Sequence, residues 1–552
     1  MISLAVSVLL VSSFAFVFFA DAGQSETDEG TLGAGTIYIS EAWELQEIAF
    51  NTAEFPLNGI YALANDIDLS AIENFIPIGV RGPSPTIHEE YNFTGTFDGA
   101  GYTISNLNVD MAGEDSNIYC GLFGYVYDAM IKDLKVSGNV SGSVRVTAGE
   151  VHAEVGGIVG LAYESTIMNC SFNGIVEASG NVVAQTGGIV GAAWDAEITG
   201  CSFSGTVNAS SPEAEAGGIV GYADAYDYTS ITDCYNVGTV AATGTSAAAG
   251  GIVGNMFAST ITNCYNTGYV KAVSEGSWAG AGGIAGMLAD GSQIDQCFNS
   301  GPVEAEGKWS EAGGIAGSAL CYYDEYDDYY GWPVSIGNCY NTGSVKATFG
   351  GPESPSVGGI VGYAAGADIY CCYNIGSLTA DGGNVGGIIG YVGIDPEEEV
   401  LVYVYACFFL DEGNDISVIG HDEFEGDGLD SISGAYGEED MKPGSDADEM
   451  LDAAKNGPSI YYSGEWTFGD VEGWWMFIEG SNNGYPVLTL VPHVDPIEDT
   501  GGDIEDDTGE NEDETEDDNG SNGTIGALGM TLIAAVVLLV VCLIAAFFGK
   551  KP

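Results

Sequence analysis

The chain has 552 residues, 45% of them hydrophobic and 30 of them tyrosine, and sets 80 acidic side chains against 11 Lys and Arg for a net charge of −69. Such a charge repels nucleic acid and anionic lipid surfaces, which excludes a DNA or RNA partner, and the apolar and aromatic content excludes disorder over most of the length. Length alone suggests several domains, but an internal repeat replaces that estimate.

At the amino terminus an apolar run, Leu4 to Ala20, is followed by the small-residue pattern "ADA" at Ala20–Ala22, which reads as an export signal over 1–22. No Lys or Arg precedes the run, so an uncleaved signal anchor is the alternative. A lead-in segment, 37–110, contains "SEAWELQEIAFNT", Ser40 to Thr52. This reads as a short amphipathic helix with Ser40 as N-cap, placed to cover the first turn of the segment that follows.

From 111 to 410 two markers recur in step. One runs from "NCSFNG" (Asn169 to Gly174) to "CCYNIG" (Cys371 to Gly376), with a cysteine first and a glycine four places later in all seven copies: Cys170, Cys201, Cys234, Cys264, Cys297, Cys339 and Cys372. The other, "GGIVG" or a near variant, ends at Gly160, Gly191, Gly221, Gly254, Gly286, Gly317, Gly362 and Gly390. Between markers each unit reads as three short β runs, such as "AGGIVGNMF", "STITNCYN" and "GYVKAVS". Three strands and their turns make one lap of about thirty residues, and laps stacked in parallel at ~4.8 Å form a β-solenoid.

Stacking assigns each marker a place. Ile252 falls in line with Ile219 and Ile284 as an inward apolar row, and the glycines sit where the wall bends, which needs positive φ or a close backbone approach. Asn236, Asn266, Asn299, Asn341 and Asn374 can form an amide ladder at a turn, each bonding the next lap. Earlier laps hold Phe172 and Phe203 there, a switch the sequence leaves unexplained.

The seven cysteines lie a lap apart along a line, whereas a zinc site needs thiolates that converge on one point. Parallel neighbours also fit poorly with the torsion of a disulfide, and a nucleophile would want a base in a chain with only 4 His. Buried free thiols acting as small apolar residues are the favoured reading. Cys120, Cys321, Cys371 and Cys407 leave room for irregular bridges.

One interval is stretched by "CYYDEYDDYYGWP", Cys321 to Pro333. Insertions in a solenoid leave as loops from one face, often a binding face. Asp324, Glu325, Asp327 and Asp328 offer hard oxygen ligands that would suit Ca²⁺, and Tyr326 and Trp332 offer planes on which a sugar can stack. The plain alternative is a solvated loop whose aromatics pack on the wall, since the ordered D-x-D-x-D-G spacing of a calcium loop is missing.

Beyond the repeat, 411–494 is dense in aromatics and reads as a closing element. Residues 495–524 carry 14 acidic and no basic side chains, a composition that extends into a stalk. Ile525 to Phe548 is 24 residues without charge, enough to span a membrane, and Lys550 and Lys551 in the tail 549–552 place that tail in the cytoplasm. Export signal and span agree on one topology, an ectodomain outside and a single carboxy-terminal anchor.

The lead-in "NGIYALANDIDLS", "IPIG", "FTGTFDGAGYTISNL" and "GLFGYV", the GG-[IL]-x-G repeats and the closing "NNGYP" resemble the GLUG-motif repeat proteins, which are cell-surface and adhesin-like. The resemblance covers about Ile37 to Leu490 and implies an all-β fold, a right-handed parallel β-helix. It also implies two activities to weigh. Some GLUG-bearing chains are immunoglobulin-cleaving metallopeptidases, which need H-E-x-x-H; here "HEEYN", His88 to Asn92, lacks the second histidine. Polysaccharide hydrolases and lyases also use β-helices, but Arg81 and Arg145 are the only arginines and no lysine recurs in phase with an acid. The expectation is a non-catalytic, membrane-anchored surface module without a resident cofactor, engaging an extracellular glycan or surface protein, with a surface carbohydrate-active enzyme as the alternative.

Overall fold

One repeat, Ser246 to Ser274, shows how a lap is laid down. Its strands are Ser246–Gly250, Val253–Phe257, Ser259–Thr262, Tyr265–Asn266 and Val270–Ser274. The three expected runs are therefore five strands: "AGGIVGNMF" is cut at Gly251 and Ile252, and "STITNCYN" at Asn263 and Cys264. Each strand pairs in parallel with its copy in the next lap, as in Val253↔Ala285, Thr260↔Gln293, Tyr265↔Phe298 and Val270↔Val303.

This computed structural model describes residues 35–80, 91–147, 151–321, 323–324, 329–330, 333–349, 354–393, 402–405, 407–409, 416–422, 429–432, 475–476 and 487–488. They fall within one compact unit, Met1–Pro496, and form an all-β parallel solenoid whose three long sheets hold 13, 16 and 18 strands. The 13-stranded first face carries Ser259–Thr262 and its copies, and the 16-stranded second face carries Tyr265–Asn266 and Val270–Ser274. The third face is bent, because each lap gives it two strands that meet at the Gly-Gly pair. The export signal at 1–22, the acidic stretch 495–524, the span 525–548 and the tail 549–552 lie outside the described residues, as does most of 411–494. Among the described residues no helix is long and apolar enough to cross a membrane.

Rows of identical residues make the core. Ile131, Ile167, Ile198, Ile231, Ile261, Ile294, Ile336 and Ile369 stand in register along the first face, all with no exposure. Each contributes on the order of 1.5–3 kcal/mol by leaving water. The cysteines form the neighbouring row as buried free thiols: Cys264 Sγ donates to Thr262 O at 3.3 Å and receives Cys234 N at 3.3 Å. Burial pushes the Cys234, Cys264 and Cys339 thiols up, which holds these three protonated. Cys407 extends this row, since Tyr373 pairs with Phe408 and Cys407 Sγ donates to Ile369 O at 3.6 Å.

The corner before each cysteine is left-handed. Asn169, Asp233, Asn263, Gln296, Asn338 and Cys371 take φ between 50° and 56°, and Gly200 takes 65°. Asn and Asp tolerate this region better than most residues, which explains why "N" or "D" so often precedes the cysteine. The Gly-Gly pair needs no positive φ. A Cβ on Gly251 would instead run into the Gly283 carbonyl oxygen and the Asn266 amide, so close approach alone demands glycine there.

The amino-terminal helix is shorter than expected and differently capped. It spans Ala42–Ile48, with Glu41 rather than Ser40 at the N-cap, because Glu44 reaches back to accept from Glu41 N at 3.0 Å and Ser40 N at 2.8 Å. Leu45 and Ile48 seal the first lap, whose strand Ile37–Ile39 precedes the helix. In the closing region Trp475–Met476 pairs antiparallel with Val487–Leu488, and Leu488 is buried.

Candidate ligand groove on the bent face

Along Glu213–Gly217 the two-residue period of a strand turns Ala214 and Ala216 into the core and Glu215 outward. The Gly217–Gly218 bend then redirects Val220–Asp224, so that the row of Tyr222 stands beside that of Glu215, and Asn255, the next copy of Tyr222, reaches Glu215. Stacking repeats this geometry lap after lap. The first row reads Glu154, Gln185, Glu215, Ala248, Gly280, Glu311, Ser356 and Asn384. The facing row reads Leu161, Ala192, Tyr222, Asn255, Met287, Ser318, Tyr363, Tyr391 and His421.

Hydrogen bonds across the bend tie the rows together. Asn255 Nδ2 donates to Glu215 Oε1 at 2.7 Å, and Gln185 Nε2 to its Oε2 at 2.9 Å. Trp278 Nε1 donates to Glu311 Oε2 at 2.6 Å, and Ser318 Oγ donates to the same oxygen. Glu154 differs: it is buried and its Oε2 has no hydrogen-bond partner. Burial therefore pushes Glu154 up to about 8, and it raises Glu215 and Glu311 to about 7 against the opposing pull of their donors.

Two adjoining hollows open along the groove. One of about 470 Å³ lies between Glu215 and Glu311 over Ala248, with Asn255, Trp278 and Met287 as walls. The next, of about 370 Å³, shares Glu311 and Tyr363 with it and continues past Trp309 and Tyr391 to His421. Beside the groove Trp194 packs between Tyr222 and Tyr226, each 5.7 Å away by ring centroids, and Tyr226 is 79% exposed. Lys308 places its ammonium 3.9 Å from the Trp309 ring centroid.

The expected sites fall elsewhere. Tyr323–Asp324 pairs antiparallel with Tyr329–Tyr330, so the insertion is a hairpin leaving the solenoid after Ala316–Leu320. Glu325, Tyr326, Asp327, Asp328 and Trp332 lie outside the described residues, and only the backbone of Asp324 is described. Among the described residues no cluster of acidic, His and Cys side chains could hold a metal ion.

The asparagine row is buried and lies at the break that follows Tyr265–Asn266 and its copies. Asn236 donates to Asn266, Asn266 to Asn299, Asn299 to Asn341 and Asn341 to Asn374, each at 2.8 or 2.9 Å. Each amide also closes on the glycine two residues later, as Asn266 does with Gly268 O at 2.9 Å and Gly268 N at 3.1 Å. This explains the switch from phenylalanine. Ser171–Gly180 and Ser202–Ser210 run unbroken through the Phe172 and Phe203 positions, whereas later laps break after the asparagine and need its amide to satisfy the interrupted backbone.

The GLUG motif family model matches 152–177, 184–208 and 214–241, three consecutive repeats that each begin on the bent face and include Glu154, Gln185 and Glu215 in turn. The chain thus carries GLUG repeats. No curated protein matches it. A crystal structure from Bacteroides ovatus, described as a candidate immunoglobulin A1 protease, is 19% identical with a TM-score of 0.33 over 82% of this chain and 92% of that one. At that score the likeness carries no argument about activity.

Proposed function

We propose that this GLUG-repeat chain is a non-catalytic surface module that binds an extended glycan lengthwise in the groove of the bent face. The observation that carries the reading is the pair of facing rows, Glu154 to Asn384 and Leu161 to His421, which offer hydrogen-bonding groups at most laps and aromatic rings at Tyr222, Tyr363 and Tyr391 along one line. A polymer with its own repeat can engage such a line cumulatively.

The carboxyl spacing favours binding over hydrolysis. Glu215 and Glu311 are three laps apart, about 14 Å at ~4.8 Å per lap, beyond the ~5–9.5 Å that glycosidase pairs use. Between Glu154 and Glu215 stands Gln185, whose amide holds Glu215. Neither hollow is lined by Arg or Lys among the described residues, so neither offers the Arg or Lys base of a lyase.

The export signal at 1–22 and the apolar segment at 525–548 support display outside the cell on a single carboxy-terminal anchor, with right-handed winding, the sense that about 98% of strand crossovers take. The test is a screen of the full chain against glycans and matrix proteins, with and without Ca²⁺, beside a depolymerisation assay. Glycan retention without new reducing or unsaturated ends supports the proposal. Release of such ends would turn the reading to an enzyme, and retention of matrix protein alone would turn it to a protein adhesin.

A further inference from the structure

Resting on the groove reading, we infer that the bay between Glu215 and Glu311 is the principal subsite, and that it takes an uncharged pyranose chain stacked on Trp278 rather than an acidic polysaccharide. The first row is filled by long side chains at Gln185, Glu215 and Glu311, but between the latter two it shrinks to Ala248 and Gly280. The row is thus cut away for two laps while the walls persist, leaving about 470 Å³. The Trp278 indole extends over Gly280, where a Cβ would meet the ring. It is held there by its own bond to Glu311, so it stands as a fixed plane at the hollow's side.

A second observation points to a ligand independently. Asn255 lines this bay at only 7% exposure; its Nδ2 is committed to Glu215, and its Oδ1 is buried with no hydrogen-bond partner. Glu215 fixes that orientation, because the reversed amide would set two acceptors against each other. A buried, unsatisfied carbonyl oxygen costs stability until a donor arrives, and a hydroxyl of a bound sugar supplies one once the Asn255 side chain yields enough to admit it. Every charged group on the bay wall is a carboxyl: Glu213, Glu215 and Glu311. With a net charge of −69 behind them, these walls repel uronate and sulfate groups and leave hydroxyl-rich neutral sugars as the matching chemistry.

The test is calorimetric titration of the full chain with neutral hexose and N-acetylhexosamine hexamers and, separately, with an oligouronate. Two variants probe the bay. Ala248→Tyr fills it, and the fold should tolerate this because Tyr119 already occupies that row beside Glu154. Trp278→Ala removes the plane. A third, Tyr391→Ala, alters only the neighbouring hollow. The inference expects neutral hexamers to bind, at least a tenfold loss in both bay variants, with the melting temperature unchanged in Ala248→Tyr, and a lesser loss in Tyr391→Ala. Equal affinity in Ala248→Tyr and the native chain would overturn the subsite while leaving the groove reading intact, as would tighter binding of the oligouronate. Absence of binding to every glycan would overturn both.

Discussion

Asn266 shows how much one buried amide can be asked to do. It bonds the amide before it, the amide after it, and both polar groups of Gly268, so truncation strands several groups at once. Asn266→Ala should lower unfolding free energy by about 3 kcal/mol in a denaturant titration, and Asn374→Ala by less, since Phe409 rather than another amide follows it. Glu154 makes a different statement. Its carboxyl sits at about 8 in the folded chain against ~4.3 when unfolded, so between those values the folded state holds the extra proton. The stability this proton supports is complete below the unfolded value and is lost as pH rises through about 8. Glu154→Gln should therefore melt as the native chain does near pH 4 and several degrees higher near pH 8.5; equal melting at both would show that the carboxyl is solvated. The amides were legible because they recur in one position. Glu154 was not, because one carboxylate among 80 has no signature until burial singles it out.

At the scale of the lap, periodicity pointed to the inward rows and the solenoid they imply, while the division of each lap was hidden. An apolar run such as "AGGIVGNMF" reads as one strand, since only the clash a Cβ would meet at Gly251 reveals the bend inside it. The groove escaped for a related reason. Its first row runs Glu, Gln, Glu, Ala, Gly, Glu, so no one residue holds that phase from lap to lap, and variation of this kind is what a binding surface built on a regular frame produces. Cys407 was missed as a rung because its lap lacks both the asparagine and the following glycine. Because laps touch only their neighbours, excising 246–277, one full register from Ser246 to the residue before Trp278, should leave a chain that folds and melts cooperatively at a lower temperature. The same excision removes Ala248 and Asn255, and neutral-glycan affinity should fall with it. Collapse of the whole fold would show that laps are not exchangeable units.

Over the whole molecule, 80 acidic side chains stand against 11 Lys and Arg, and the solenoid carries its share of that imbalance. Described ion pairs such as Lys132 with Asp98 at 2.7 Å and Lys271 with Glu306 at 3.2 Å leave most of that repulsion standing. Screening should relieve it, so the melting temperature should rise by several degrees as NaCl goes from about 0.02 M to about 0.5 M, where the Debye length drops well below ~10 Å. Neutral-glycan binding should change little over the same range, which separates charge borne by the scaffold from recognition in the groove.

Amide hydrogen exchange on the full chain, with and without a neutral hexamer that binds, is the most direct test of where the ligand lies. A ligand in the groove should slow exchange in peptides over 213–224, 246–257 and 278–289, while first-face strands such as Ser259–Thr262 remain as they were. Protection confined to the hairpin of Tyr323–Asp324 and Tyr329–Tyr330, with the bent face unchanged, would contradict it.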